Sequence, residues 1–282
     1  MPSRSRLRQV AELAGSAAGA ERATPVEAVL CAGSAGPRVS IIVLCKDEGE
    51  TIVGCLDRIC EQVHLPAEIL VVFDSPDDTT APYAHEYAKV QPRVRPVLNE
   101  LGPGPAWAIR AGFRAAAAPV VVVTMSDGSD DAGRIDDLTR LVERGVVIAA
   151  ASRYSRGGQQ VGGSLAKRVV SQTAGRTLYH FARVGTRDAT NSFKAYSKAF
   201  VDEVGIDSEG GFEVAIELVA KARRRRAPIA ELPTIWLDRQ LGVSKFELGK
   251  WLPKYIRWYF HAFGPRLGDR GAPPKQTKRN ES

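Results

Sequence analysis

VSIIVLCKDEGETIVGCLDRICEQV, Val39 to Val63, followed closely by AEILVVFD, Ala67 to Asp74, decides the fold class. VSIIVLC is a continuous apolar run, as expected of a strand buried on both faces. The next segment places Ile52, Val53, Leu56, Ile59, Cys60 and Val63 at helical spacing, and AEILVVFD is a second buried strand ending in Asp74. Strand, helix and strand at such short intervals predict parallel βαβ units in an open sheet covered on both faces. The rhythm continues outward. SPDDTTAPYAHEYAKV gives a loop and a second helix, VRPVLN a third strand, PAWAIRAGFRAAA a third helix and PVVVVTM a fourth strand. RIDDLTRLVERG and the strand VVIAAASRY follow, and then the alternation breaks. GGQQVGGSLAKRVVSQTAGRTLYHFA reads as a loop and a helix, followed by FKAYSKAFV, the helix EVAIELVAKARRRR and the strand-like IAELPTIWL. The expected fold is therefore α/β: a Rossmann-like, mostly parallel open sheet with helices on both faces, plus a C-terminal amphipathic segment.

Residues 1–37 read as an extension, 38–246 as the main domain, 247–264 as an amphipathic aromatic helix and 265–282 as a disordered tail. The chain has 282 residues, 44% hydrophobic and 25% charged, with a formal charge of +7. A moderate basic excess suits anionic partners. The basic residues are dispersed and no base-stacking module is recognisable, which argues against nucleic acid. Cys31, Cys45, Cys55 and Cys60 form no C-x-x-C pair, so reduced thiols are expected. No apolar run approaches the ~20 residues a membrane span needs. The N-terminus lacks a continuous apolar h-region. A cytoplasmic location is expected, with peripheral contact at the cytoplasmic membrane face left open.

In open α/β sheets, ligands bind beyond the carboxyl ends of the strands. Three such ends are acidic: Asp47 and Glu48; Asp74 with Asp77 and Asp78; and Asp127 with Asp130 and Asp131. No glycine-rich dinucleotide turn follows the first strand. In VVVVTMSDGSDD, Val120 to Asp131, Asp127 with Ser129 and Asp130 could supply a half-site for Mg²⁺ or Mn²⁺. The alternative is a capped turn before the next helix. Asp74 is placed to accept hydrogen bonds from a base or ribose. NELGPGPAWAIRAG, which contains Gly104, joins a tight turn to a helix start whose N–H groups could meet a ligand.

Basic residues form a second group. Arg153 stands at a strand end before two glycines, Lys167 and Ser171 share a helical face, and Arg239 and Lys245 lie in one loop. Arg supplies a fork for phosphate and Lys a compact charge. The tetrad Arg223 to Arg226 reads as a solvated, dipole-complementing helix end, with acidic lipid as the alternative. WLPKYIRWYFHAFG, Trp251 to Gly264, suits either an in-plane helix at a membrane surface or a helix covering the core with its aromatic face.

Taken in order, these segments resemble the family 2 glycosyltransferases of GT-A fold, in their polyprenyl-phosphate (dolichol-phosphate) mannosyltransferase-like branch. The resemblance runs from about Val39 to Tyr259. It is carried by VSIIVLCKDEGETI, VVFDSPDDT, NELGPGPAWAIRAGF, VVVTMSDGSDD, ASRYSRGG, KRVVSQTAG, RDATNSFKAYSK, GFEVAIELVAKA and IAELPTIWLDRQLGVSK. It implies that Leu44, Asp47, Glu48 and Asp74 line a nucleobase and ribose pocket, with Gly104 and Ser126 in the same donor site. Asp127 looks like the second aspartate of the Asp-x-Asp metal motif, with Ser129 or Asp130 as a further ligand; Met125 replaces the first. Arg153, Lys167 and Ser171 would face an acceptor phosphate, Lys167 standing where an Arg is usual. Arg239 and Lys245 would close over the diphosphate and acceptor.

The activity implied is inverting, metal-assisted transfer of a hexose from a nucleotide-diphosphate sugar, GDP-mannose or a UDP-sugar, to a polyprenyl phosphate. An anionic phosphate acceptor needs no strong base. A hydroxyl acceptor, as in a cell-envelope glycan, would need one, and Asp127, Asp188 and Glu213 are the candidates. A non-catalytic sugar-nucleotide binder and a homodimer are both compatible with the sequence.

Overall fold

The computed structural model describes residues 36–238 and 248–265. The chain divides at Gly36, and the unit from Pro37 onward carries the sheet. Its strands are β1 (Val39–Leu44), β2 (Ala67–Phe73), β3 (Val94–Leu98), β4 (Val120–Met125), β5 (Ile148–Ser152), β6 (Gln159–Val161), β7 (Lys194–Ser197), β8 (Ile229–Pro233) and β9 (Ile235–Leu237). Its helices are α1 (Thr51–Gln62), α2 (Ala81–Val90), α3 (Pro105–Ala115), α4 (Ile135–Glu143), α5 (Leu165–Thr177), α6 (Lys198–Val204), α7 (Val214–Arg224) and α8 (Leu248–Phe263).

Seven strands form one sheet in the order β3-β2-β1-β4-β7-β5-β8. β1 runs parallel to β2 and β4, with Val39 opposite Ala67 and Val120, and Leu44 opposite Met125. The apolar run explains this central place, because both of its faces are covered. Ile41 and Val43 pack with Ile52 and Leu56 of α1, Ala84 of α2 and Leu138 of α4. Ile42 and Leu44 pack on the other face with Ile109 and Phe113 of α3, Ile216 of α7 and Trp258 of α8. Gly112 lets α3 sit this close: a Cβ there would lie 2.6 Å from Ile42 Cδ1.

The expected mostly parallel sheet with helices on both faces is present, and three local readings need amendment. FKAYS contributes β7, which lies antiparallel between β4 and β5. The expected loop GGQQV contains β6, paired in parallel with β9, and IAELPTIWL is two strands separated at Thr234. Three of the four arginines in the tetrad are tied down rather than merely solvated, and Arg226 is exposed. Arg223 donates to the carbonyls of Ala182 and Gly264, Arg224 to that of Pro265, and Arg225 pairs with Glu203.

Of the two readings for the aromatic helix, core cover holds for one face of α8. Trp258 and Ala262 are buried, and Trp258 Nε1 donates to Ser208 Oγ at 2.8 Å. Cys45, Cys55 and Cys60 are free thiols. Among the described residues no helix is long and apolar enough to cross a membrane. Arg239 and Lys245, and the expected extension and tail apart from residues 36, 37 and 265, lie outside the described residues.

Candidate active site

The carboxyl ends of β1, β2 and β4 lie side by side, and beyond the ladder Ser126 N–H after β4 donates to Leu44 O of β1 at 3.2 Å. The loop after β1 is held by Asp78, which the sequence marks only as one of the acidic residues beyond β2. Asp78, 5% exposed, accepts the Asp47 N–H with both oxygens at 3.2 Å, while Glu48 N–H donates to Thr80 Oγ1 at 3.1 Å. These bonds fix Asp47 in the left-handed region, φ 57°, which non-glycine residues rarely adopt. In SPDDTT, Asp78 counts in the sequence as one of three strand-end carboxylates and Thr80 as an ordinary turn former, and no sequence signal marks their hold on the β1 loop.

Asp74 links β2 to the start of α3. Its Oδ1 accepts from Asn99 Nδ2 at 2.7 Å and its Oδ2 from Gly104 N–H at 2.9 Å. The Gly104 N–H, expected to be available to a ligand, is therefore committed to Asp74. The glycine itself is required, because φ is 104° and a Cβ would lie 3.0 Å from Gly210 O.

Beyond β4 the two readings of the aspartate run coexist. Asp127 Oδ1 accepts from Ser129 N–H at 3.0 Å across Gly128, and Asp131 Oδ1 accepts from Gly133 N–H at 3.2 Å at the next helical turn. Asp130 Oδ2 accepts from Thr124 Oγ1 at 2.9 Å and Met125 N–H at 3.2 Å. Burial, reinforced by the charge of Asp127, pushes the Asp130 carboxyl up to about 7. Arg58 of α1 lies across the turn and donates to Gly128 O at 3.2 Å. Among the described residues no group of three His, Cys, Asp or Glu side chains forms a metal cage. Asp127, with Ser129 and Asp130 beside it, fits the narrower requirement of Mg²⁺ or Mn²⁺: one or two carboxylates, with substrate phosphates completing the shell.

Asp127, Ser129 and Asp130 open onto a cavity of about 400 Å³. Arg153, Lys167 and Ser171 also line it, so these two groups of predicted residues meet in one space. Leu44, Asp47, Glu48, Asp74 and Gly104 do not line this cavity; they belong to the neighbouring β1 and β2 ends. At the far end the walls become apolar: Val170 and Ala174 of α5 face Leu252, Tyr255, Ile256 and Tyr259 of α8. A smaller polar space of about 290 Å³ adjoins Arg153 and Arg168, with Gln159, Gln160 and Gln172 in its wall.

Arg153 is fixed from behind. Its Nε donates to Asp188 Oδ2 at 2.8 Å and its Nη2 to Asp188 Oδ1 at 2.9 Å; Nη2 also reaches Ser171 Oγ at 3.3 Å. Asp188 is fully buried, and burial alone would raise its pKa. The Arg153 charge and hydrogen bonds outweigh that effect and hold the carboxyl below its ordinary range. Asp188 thus serves to orient Arg153. Glu213 is likewise turned inward, accepting the N–H groups of Gly210 at 3.1 Å and Gly211 at 2.8 Å. Neither carboxylate lines the cavity, which leaves Asp127 as the hydroxyl-acceptor base candidate that does.

Lys194, the first residue of β7, is another component absent from the sequence reading. It is fully buried, donates to the carbonyls of Ala189 and Asn191, and has its pKa lowered to about 7, chiefly by burial. A lysine inside the apolar segment FKAYS is the available sequence signal.

The Glycosyl transferase family 2 model matches residues 40–205. The chain is 30% identical over 223 residues to a polyprenol monophosphomannose synthase of Mycolicibacterium smegmatis, covering 74% of this chain and 80% of that protein. A dolichol-phosphate mannosyltransferase of Pyrococcus furiosus is 28% identical over 224 residues; the match covers 78% of this chain but only 62% of the longer relative. Among solved structures, glucosyl-3-phosphoglycerate synthase from Mycobacterium tuberculosis, in complex with Mn²⁺, UDP and glucosyl-3-phosphoglycerate, superposes with TM-score 0.60. Identity there is 18%, over 88% of this chain and 87% of that one. A mannosyltransferase from Pyrobaculum calidifontis in complex with GDP-Man and Mn²⁺ gives TM-score 0.57 at 18% identity, over 86% and 67% of the respective chains. The structural likenesses establish the shared fold. With the family match spanning more than half of the sequence, the chain belongs to glycosyl transferase family 2 and is a glycosyltransferase.

Proposed function

We propose that this glycosyltransferase moves a hexose from a nucleotide-diphosphate sugar to a polyprenyl phosphate, with inversion at the anomeric carbon. The observation that carries this reading is the cavity itself. It is polar and acidic at the tip of β4, basic at Arg153 and Lys167, and apolar between α5 and α8. A phosphate on a long apolar chain matches that sequence of surfaces. The names of the polyprenol and dolichol relatives support the same acceptor class.

In the mechanism, Arg153 presents a fixed guanidinium to the acceptor phosphate, with Asp188 preventing it from swinging away. Lys167 and Ser171 sit within the same wall, four residues apart on α5. Such prior fixing contributes orientation before the reaction begins. Asp74, Asp47 and Glu48 are proposed to meet the donor's base and ribose, with Leu44, Ser126 and Gly104 shaping that pocket. Asp127, with Ser129 or Asp130, would hold a divalent ion, which supplies positive charge for the leaving diphosphate. Arg239 and Lys245 retain the diphosphate role implied by resemblance. A phosphate acceptor is already anionic near neutral pH and needs no strong protein base.

The test is incubation with GDP-mannose or UDP-glucose, Mn²⁺ or Mg²⁺, and prenyl phosphates of short and long chain, followed by organic extraction. Sugar-labelled lipid is the expected product. Absence of lipid product from every donor would refute the proposal. The smaller polar space beside Arg168 favours a second reading, transfer to a water-soluble phosphorylated or hydroxyl acceptor. Label confined to the aqueous phase as a new glycoside would select it.

A further inference from the structure

Resting on the acceptor reading above, we propose that Lys194 is a positioning residue for the acceptor phosphate, and that it acts through the Thr190 hydroxyl in the cavity wall. Lys194 does not itself line the cavity. It is fully buried, and burying an ammonium is costly unless its hydrogen bonds are satisfied. Its Nζ reaches back along the chain to donate to Ala189 O at 3.3 Å and to Asn191 O. Thr190 stands between those two carbonyls, and Thr190, Asn191 and Ser192 line the cavity. One buried cation thus holds the backbone on both sides of a single cavity-wall side chain.

That side chain is joined to the basic wall. Thr190 Oγ1 and Ser171 Oγ lie 2.7 Å apart, and Arg153 Nη2 donates to the same Ser171 oxygen at 3.3 Å. Ser171, taking a proton from Arg153, can give its own to Thr190 Oγ1. The Thr190 proton is then left for an acceptor oxygen that Arg153 and Lys167 would also face. Other bonds anchor the two ends of this segment. Asp188 is forked onto Arg153, Asn191 Nδ2 donates to Ala151 O at 2.9 Å, and Phe193 O accepts from Ala151 N–H at 3.2 Å. Lys194 adds the hold on the stretch between these anchors.

The position calls for lysine. A compact ammonium with three donors serves two carbonyls at once, and an apolar side chain of similar length serves none. The surrounding charges make the cation tolerable: Asp188 and Asp130 attract it, while Arg153 repels it. Those carboxylates belong to the two ends of the site, the Arg153 wall and the tip of β4, so the charge of Lys194 is felt at both. A lysine that merely completed the interior would have a different consequence. Its loss would lower stability and weaken donor and acceptor alike, with no preference for the acceptor.

The experiment compares the full chain with its variants Lys194→Met, Thr190→Val and the two combined, using GDP-mannose or UDP-glucose and a short, water-soluble prenyl phosphate. Each single change is expected to raise the acceptor KM by about tenfold, with the calorimetric Kd for GDP or UDP unchanged. Because both act through one hydroxyl, the combined variant should be no worse than the poorer single one, a non-additivity that a general loss of packing would not produce. Thr190→Ser, which restores the hydroxyl, should recover most of the loss. A folded Lys194→Met with wild-type acceptor KM, additive losses in the combined variant, or an equal loss of GDP or UDP affinity would overturn the proposal. If Lys194→Met does not fold, Lys194→Gln, which retains a donor, takes its place with a smaller expected rise. A wild-type acceptor KM in Thr190→Val overturns the proposal whatever the lysine variants do. Absence of transfer to any prenyl phosphate would instead refute the acceptor reading. Lys194 would then be judged by calorimetric binding of inorganic phosphate: weaker in both single variants if it positions the wall, and equal in, or absent from, wild type and variants if it does not.

Discussion

At Arg153 two demands meet: the guanidinium must face the cavity, and it must neutralise a carboxylate with no access to water. A side chain that is 12% exposed, forked onto a fully buried Asp188, leaves little freedom in either direction. Arg153→Ala would strand the Asp188 charge, and a loss of about 3–5 kcal/mol is expected from urea denaturation. Arg153→Lys keeps a charge but cannot reproduce the fork. It should retain most of the stability while transfer falls by roughly a hundredfold, as measured by kcat/KM. Asp127→Ala tests a different contribution. If Asp127 supports the leaving diphosphate, turnover should fall by about 10²-fold or more, with little loss of stability. Asp130 lies immediately behind it and gives a pH signature. Its folded pKa is raised to about 7, so the carboxyl's favourable contribution is complete below its unfolded value near 4 and is lost as pH rises through 7. In metal-free buffer, Asp130→Asn should therefore raise the thermal midpoint by several degrees at pH 8 and change it little at pH 4.

The elements differ in how plainly their sequences announce them. β1, β2 and β4 are legible because a central parallel strand excludes polar side chains from both faces. α1 and α3 are legible because one face must match that sheet. β7 is concealed by its length of four residues and by Lys194, whose charge conceals an interior position. β6 and β9 have three residues each, too few for a period to register. Site residues divide in the same way. Asp127 and Arg153 stand at strand ends, where the fold itself points to function. Asp78, Asn99 and Lys194 act on other residues through contacts that only the folded chain brings together. α5 depends on one such contact: a Cβ on Gly175 would lie 2.0 Å from Arg187 O, in the segment leading to Asp188. Backbone cannot yield as a flexible side chain can. Gly175→Ala is expected to cost about 1–3 kcal/mol in chemical denaturation. By moving α5 relative to Asp188, it should also raise the acceptor KM more than the donor KM.

Across the whole molecule, the family-matched segment ends at residue 205, yet the apolar wall of the cavity is completed from beyond it by Phe212, Ile216 and α8. The two working ends of the site thus come from different stretches of chain. The strand tips within 40–205 supply carboxylates and Arg153, whereas α8 supplies apolar wall at the far end. This division makes an acceptor-specific defect separable from a donor defect. Ile256 belongs to this wall: it is 43% exposed and lines the cavity with Val170 and Ala174, whereas the β1 and β2 end residues Asp47, Glu48 and Asp74 do not line it. Ile256→Asn places an amide along the expected path of a prenyl chain, where it would lack hydrogen-bond partners once water is displaced. For long-chain prenyl phosphate dispersed in detergent, the variant should show an acceptor KM raised by about tenfold. The nucleotide Kd from calorimetry should match that of the wild type. If the acceptor KM were unchanged while nucleotide binding weakened, the prenyl path would not lie between α5 and α8, and the apolar wall would belong to the donor side of the site.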